Sequence, residues 1–585
     1  MMFLNTFRTP LTAAFFCASI LVNCDVSQPE PEADIGQCPA PTATIASVQG
    51  DAIKSPMRKQ TVTVRGIVTL IQSEQGLYIE EPDSDGDSRT SNAIFIQSTD
   101  LPAGVQPGSV ISARGMVFEL GKGYFSLTAI TRVDELIQCA TGQVLPLTAI
   151  TLPLDNVERE ALEGMRIQID EPLVVTNAYQ LGRGNMTLSA NGIQFVPTEI
   201  MAPGAETADR LKQNRASALP VMLAENTDHP GLLISGSPIG NITGVMANDG
   251  RGLRVSLQSL ATGTDPDFAL PGAAKAGTTR IVGMNLHNYF NGDGKGQGFP
   301  TPRGAKTIDG FEQQRDRIGA AIKVLNPHVL AVMELENDGF GPDSAAADFI
   351  KLAHDATRTT WAVARPVKDN TGTDKITVGL FYRSDLLEAI GPAQTLTGPE
   401  FRRSRQPLAQ VFKKRPNGET ILVVVNHLKS KGSCLESGED ADQKDGQGCW
   451  NPMRLASAKN MSAWVKTIAA FTGTDNILIL GDMNAYRNED PINAIRDAGF
   501  TELMDKKQGN KEQGQVYSFV YFGQHGTLDY AFSSDAMLPI VEQAFIWNVN
   551  AALPANMKLP QPWLRFSDHD PVVVDIRSRQ SSTSD

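Results

Sequence analysis

Ser567-Asp568-His569-Asp570-Pro571 runs directly into an apolar strand, Val572-Val573-Val574, and sets a carboxylate beside an imidazole. Upstream, in order, stand Glu334, Asn426-His427, Asp482-Met483-Asn484 and Asp529, each at or just past the end of a short β-like run. Hard oxygen donors, two imidazoles and an amide are the equipment for metal-assisted hydrolysis of a phosphate ester. One such motif would mean little. Several in this order within one domain-sized segment point to a site.

Each motif has a physical reason. Val332-Met333-Glu334-Leu335-Glu336-Asn337 places a carboxylate where a buried strand emerges, so Glu334 needs either a cation or a basic partner. Glu336, on the same strand face, is the reserve candidate. Val423-Val424-Val425-Asn426-His427 repeats the arrangement with an imidazole. A lone histidine there is usually structural; the acidic company turns His427 toward catalysis. Asp482 and Asn484 lie two apart on one face, where a carboxylate can accept from water and an amide can donate to a phosphoryl oxygen. Gly481 lets the backbone bend as it leaves the sheet. Asp529, an acid inside an apolar run, suits the orientation of an imidazole. Asp568 and His569 are adjacent, so both reach one site only if the chain turns there.

Those strand ends need a scaffold. From about residue 279 to 577 the pattern alternates strand and helix, with strands expected at 280–285, 329–333, 376–382, 421–425 and 477–480. Phe311, Ile318, Ile322 and Leu325 keep helical spacing ahead of Pro327, as do Ala458, Met461, Val465 and Ile468. Continuous apolar strands are buried on both faces. The expected fold class is therefore α+β, with a four-layer α/β/β/α sandwich as the catalytic domain.

At 585 residues the chain is too long for that domain alone. From 45 to 139, short strands at 61–68, 77–79, 93–96, 110–113 and 124–127 fit an OB-like barrel, a fold often used on oligonucleotides and oligosaccharides. A second β-rich domain, 140–268, carries no catalytic constellation. Asp83-Ser84-Asp85-Gly86-Asp87 could hold calcium but lacks the distal glutamate of an EF-hand loop; a solvated acidic turn is the plainer reading. The net charge of −13 argues against a chain-wide basic surface for nucleic acid, although a bound dication can supply positive charge locally.

Residues 1–24 read as an export signal, with Arg8, an apolar core over 11–22, and Cys24 in a lipobox-like Leu21-Val22-Asn23-Cys24. Cys24 is either acylated as the first mature residue or removed with the leader. A tether (25–44) follows, and a polar tail (578–585) closes the chain. No internal stretch is long and apolar enough to span a bilayer. Cys17 lies inside the signal core. Cys38, Cys139, Cys434 and Cys449 remain, either as buried thiols or as the local pairs Cys38–Cys139 and Cys434–Cys449, which an oxidising compartment favours.

In this order the chemical residues resemble the endonuclease/exonuclease/phosphatase superfamily, whose best-known member is deoxyribonuclease I. Arg303-Gly304-Ala305, Gly372-Thr373-Asp374, Gly446-Gln447-Gly448-Cys449-Trp450-Asn451 and the forepart from Val62 to Pro82 are similar to bacterial ExeM-type extracellular nucleases. The resemblance implies a divalent cation, Mg²⁺ with Mn²⁺ or Ca²⁺ as alternatives, held by Glu334, Asp568 and Asn285. It implies His427 at the scissile phosphate, with Asp374 as its partner, and Asp482 and Asn484 positioning water and phosphate. Asp529 would orient His569 as general base, with Asp482 as the runner-up.

The expectation is an exported, monomeric, metal-dependent nuclease acting on extracellular DNA. RNA is the second polymer, and membrane contact is limited to a lipid on Cys24. A phosphatase or phosphodiesterase for lipid or sugar phosphates is the first rival. A non-catalytic adhesion or matrix-binding protein that keeps the scaffold is the second. Arg402, Arg403 and Arg405, then Lys413, Lys414 and Arg415, could follow a phosphate backbone, although such runs are usually solvated.

Overall fold

The computed structural model describes residues 38–577 except 124–125, 225–230, 263–265, 369–370, 417, 505–515 and 556. The leader with Cys17 and Cys24, the tether up to residue 37 and the polar tail lie outside the described residues, as does the start of the strand expected at 124–127.

Two six-stranded sheets fill the C-terminal half. The first is ordered Trp361–Val363, Ile376–Arg383, Val329–Glu336, Thr278–Tyr289, Val572–Arg577, Val541–Ile546. The second is ordered Leu387–Thr395, Leu408–Lys414, Thr420–His427, Ile477–Asp482, Asp529–Ser533, Thr501–Glu502. Their facing sides share one core, where Ala331, Met333 and Leu380 meet Val423, Val425 and Leu480. Helices Ile308–Leu325 and Ala345–Thr357 cover the outer face of the first sheet through Phe311, Ile318 and Phe349. Helices Asn451–Thr472 and Asp490–Asp497 cover the second through Met461, Val465 and Ile492. The fold is thus α+β with four layers in the order α/β/β/α. The Thr307 side chain caps the first of these helices, and Asn326 closes it in the left-handed region just before Pro327.

Register delivers the chemistry. The parallel pairing of Thr420–His427 with Ile477–Asp482 sets His427 opposite Asp482, and the antiparallel pairing with Asp529–Ser533 sets Asp482 opposite Asp529. Three candidate residues therefore stand in one row across adjacent strands. Gly481 makes the row feasible. Its φ is 143°, and a Cβ there would lie 2.0 Å from the Asn426 carbonyl oxygen. Gly481→Ala should lower Tm and turnover together, read by a thermal melt and an assay on the same sample.

The forepart contains two rings of strands. Thr61–Gln72, Gly76–Glu80, Ala93–Ile96, Val110–Leu120 and Leu127–Ala140 close a barrel in which the third and fifth strands pair in parallel. The second strand-rich region repeats this connectivity, which its sequence does not advertise. Its first strand is split into Arg166–Ile169 and Leu173–Asn177, followed by Asn185–Ser189, Ala218–Leu223, Pro238–Asn248 and Leu253–Thr262. Again the first strand pairs with the second and fourth, the third runs parallel to the fifth, and the fourth pairs with the fifth. The rings press together. Tyr78 and Phe95, which point outward from the second and third strands of the first ring, are buried against Val245 and Ala247 of the second.

Cys38 is disulfide-bonded to Cys139, and Cys434 to Cys449. The Asp83–Asp87 stretch is a solvated turn, with the Asp87 amide donating to Asp85 Oδ1 at 2.9 Å and the Asp87 carboxylate paired with Arg89 at 2.7 Å. Among the described residues no helix is long and apolar enough to cross a membrane.

Candidate active site

The site gathers around one atom, Asp482 Oδ2. His427 Nε2 lies 3.4 Å from it, Asn285 Nδ2 donates to it at 3.4 Å, and His569 Nε2 lies 4.0 Å away. The other oxygen, Asp482 Oδ1, accepts the Asn484 backbone N–H at 2.8 Å. Asp482 is 2 % exposed, and burial pushes its carboxyl well above the usual carboxylate range.

His569 is held from behind. Its Nδ1 lies 2.7 Å from Asp529 Oδ2, which also accepts from Ser518 Oγ at 2.7 Å. With Nδ1 carrying the proton toward Asp529, Nε2 faces Asp482. Burial opposes charge on the imidazole, but Asp529 and Asp482 outweigh it and hold His569 well above its ordinary range. His427 goes the other way: burial, reinforced by the Arg405 charge, keeps it well below. The two imidazoles are thus driven in opposite directions.

The bend that carries Asp568 and His569 is braced by Asp570. Its Oδ1 accepts the backbone N–H groups of Val549, Asn550 and Ala551 at 2.9, 2.7 and 3.2 Å. Asn550 Nδ2 in turn donates to the His569 carbonyl at 2.6 Å. The Ser-Asp-His-Asp run contained this signal, since a second acid directly after the histidine has to be satisfied somewhere.

Glu334 sits on a bulge. The pairing of Val329–Glu336 with Ile376–Arg383 slips between Val332 and Leu335, both of which face the helices. Glu334 sits in that slip at φ 62°, a left-handed conformation that glutamate rarely adopts. His287, Asn288 and Asn484 also have positive φ, so strained backbone collects at these strand ends. Alternation along a regular strand does not predict the bulge.

Other expected residues fall elsewhere or do other work. Asp374 does not partner His427. It pairs with Arg303 at 2.8 Å and lies 3.6 Å from Arg405, while among the described residues the buried His427 Nδ1 has no hydrogen-bond partner. Two guanidinium groups attract a carboxylate more strongly than a neutral imidazole does. Asn285 donates to Asp482 and accepts the His287 N–H at 2.9 Å, which makes it a positioner of that carboxylate. Asn484 Nδ2 donates to the Leu428 carbonyl at 3.1 Å. Glu336 has a buried Oε2 without a partner among the described residues, and burial together with Asp338 pushes it up to about 7. Sequence reasoning missed Ser518, Asp570 and the Phe519 ring, whose centroid lies 4.6 Å from that of His569, and it read Arg405 as part of a phosphate-following run, whereas that side chain is buried beside Asp374.

A divalent cation fits the donor set. Among the described residues the buried Glu334 Oε2 finds no partner, an arrangement that is costly unless something positive completes it. Asp568, despite burial, is held below the usual carboxylate range by His569, His287 and Arg565, and so stays ionised. Asp482, Asp529 and His569 also bring ligand-type atoms within 4.8 Å of one another. Their short Asp529–His569 hydrogen bond suits proton handling better than ligation.

The second ring reaches this site. Gln194–Phe195 pairs in parallel with Gln524–Gly526, just before Asp529. Glu199 accepts from Thr527 through the backbone N–H at 2.9 Å and the hydroxyl at 3.0 Å.

Residues 290–569 match the model of the Endonuclease/Exonuclease/phosphatase family. Similar solved structures include an endonuclease/exonuclease/phosphatase from Bacteroides vulgatus, 14 % identical, covering 52 % of this chain and 99 % of that one, with a TM-score of 0.34. The human Nocturnin catalytic domain with bound sulfate is 14 % identical and covers 52 % of this chain and 97 % of its own, with a TM-score of 0.34. A mannosyl-6-phosphatase from Bacteroides thetaiotaomicron is 15 % identical, covering 51 % and 98 % respectively, with a TM-score of 0.34. No curated protein matches the chain.

Proposed function

Residues 290–569 belong to the endonuclease/exonuclease/phosphatase family, metal-dependent phosphoester hydrolases, and on that premise we propose that this protein is an exported nuclease that cleaves phosphodiester bonds of extracellular DNA. The observation that carries the reading is the convergence of His427, His569 and Asn285 on Asp482 Oδ2. Two disulfides support an oxidising compartment and hence export. The shared connectivity of the two rings supports reading both as OB-type barrels.

The division of charge favours Asp482 over His569 as the proton acceptor. A water between Asp482 and phosphorus gives its proton to the buried carboxylate as its oxygen attacks in line, while the P–O bond on the opposite side breaks and the departing oxygen leaves as an alcohol after taking a proton from solvent. His569, kept cationic by Asp529, faces the negative charge that develops on the phosphoryl group, and neutral His427 offers an N–H to the same group. Glu334 and Asp568 would hold a divalent cation, Mg²⁺ being the expected one, which supplies Lewis-acid neutralisation of that charge. Arg303 and Arg405, tied by Asp374, add a positive wall beside His427.

Incubation of the protein with linear DNA, circular DNA, RNA and a lipid phosphodiester, each with Mg²⁺ and with EDTA, tests the reading. DNA should be cut only with the metal present. Turnover confined to the lipid would replace the nuclease with the rival phosphodiesterase, and no turnover of any substrate would favour an adhesion role.

A further inference from the structure

Three aromatic rings lead away from His569 along the hairpin formed by Phe519–Tyr521 and Gln524–Gly526. Phe519 lies against the imidazole. Tyr521 is nearly parallel to Phe519, with centroids 6.3 Å apart, and Phe522 meets Tyr521 edge-on at 4.6 Å. The two outer rings are 56 % and 80 % exposed, so the fold gains little from them. The hairpin is fixed in place, because Gln524 and His525 pair with Gln194 and Phe195, and Thr176 Oγ1 donates to the Gly523 carbonyl at 2.6 Å.

Phe522 forms part of the wall of a groove of about 1030 Å³ on the second ring. Thr187 and Pro220, from the second and third strands of that ring, line it together with Lys212 and Arg215 of helix Glu206–Ser217. The first ring cannot offer the matching surface, because its Tyr78 and Phe95 are closed under Val245 and Ala247. Lys212 and Arg215 are exposed. Of the acids in the groove, Asp155 is turned into its own helix start and Glu160 is pushed up to about 7 by burial and by Glu119. A cationic groove ending in exposed rings stands out on a chain of net charge −13.

We propose that the groove and the Phe519–Tyr521–Phe522 ladder form a track for single-stranded DNA, with unpaired bases stacking on Tyr521 and Phe522 and phosphates passing Lys212 and Arg215 on the way to His569. The inference rests on the nuclease reading and sharpens it to a strand preference. Aromatic faces accept any unpaired base, whereas bases inside a duplex already stack on each other. A lipid or sugar phosphate would use neither the rings nor a run of phosphate contacts.

Binding of a fluorescent oligothymidylate to the full chain, measured by anisotropy in EDTA, separates the track from the chemistry. Tyr521→Ala/Phe522→Ala should weaken binding by at least about fivefold per ring. Lys212→Glu/Arg215→Glu should weaken it too and flatten its salt dependence. Both variants should melt like the wild type and hydrolyse bis(p-nitrophenyl) phosphate with Mg²⁺ at the wild-type rate. Equal binding by wild type and variants, or a wild type that prefers duplex, overturns the track. A wild type that binds the strand in EDTA, loses it in both variants and cuts no nucleic acid with Mg²⁺ keeps the track and removes the nuclease reading instead.

Discussion

Glutamine in place of His569 should lower kcat by about a thousandfold, or about 4 kcal/mol of transition-state stabilisation, with little change in KM. Glutamine is chosen over alanine because Asp529 is 2 % exposed and would be stranded beside a cavity. The pH dependence then divides the labour between the two candidate bases. Burial raises Asp482 above the usual carboxylate range, so kcat/KM should climb with pH as that carboxyl loses its proton. This acidic limb should survive in His569→Gln and disappear, with a comparable loss of rate, in Asp482→Asn. A limb that vanishes with the histidine instead would return the base role to His569.

Arg280→Ala should produce the largest loss of stability. Arg280 and Asp575 are cross-strand neighbours, each 1 % exposed, joined by two hydrogen bonds of 2.8 and 2.7 Å. The guanidinium also donates to the carbonyls of Leu325 at 3.1 Å and Gly272 at 2.8 Å. Removing it leaves a carboxylate in a dry place, at a cost of about 3–5 kcal/mol. For a domain of this size that corresponds to a fall in Tm of roughly 10 °C. The paired change Arg280→Met/Asp575→Leu should recover most of the loss, because it removes the stranded charge along with its partner. Thermal melts of the three variants check this. If the double variant is no better than the single one, the deficit lies in packing and not in the charge.

Much of the sandwich was legible because its signals are local. Apolar runs pointed to the buried strands, and the 3.6-residue spacing of Phe311, Ile318, Ile322 and Leu325 pointed to a helix whose inward face carries those four side chains together with Ala321. The chemical residues were legible because each stands at or near an end of an apolar run, and strand ends are where neighbouring strands bring side chains together. What stayed hidden depends on register. That His427, Asp482 and Asp529 form one row follows from which strands are neighbours, and the slip that aims Glu334 is a property of two strands at once. Asp374 misled for a related reason: a carboxylate takes the strongest cation within reach, and Arg303 and Arg405 approach it from distant parts of the chain. The strand-rich character of the second ring was legible, but its ring connectivity stayed hidden because its first strand is broken between Ile169 and Leu173, which destroys the pattern its neighbour displays.

The small sheet in which Gln194–Phe195 lies beside Gln524–Gly526 means that the enzyme's working half borrows a strand from the half ahead of it. A chain cut within the stretch between the second ring and residue 278 would leave the downstream piece with an open strand edge beside Asp529 and with Thr527 deprived of the Glu199 carboxylate. Neither fragment is then a self-sufficient module. Expressed separately they should be silent, and mixed together they should find each other through that edge, so the protein is a natural candidate for a two-piece reporter whose activity returns on reassembly.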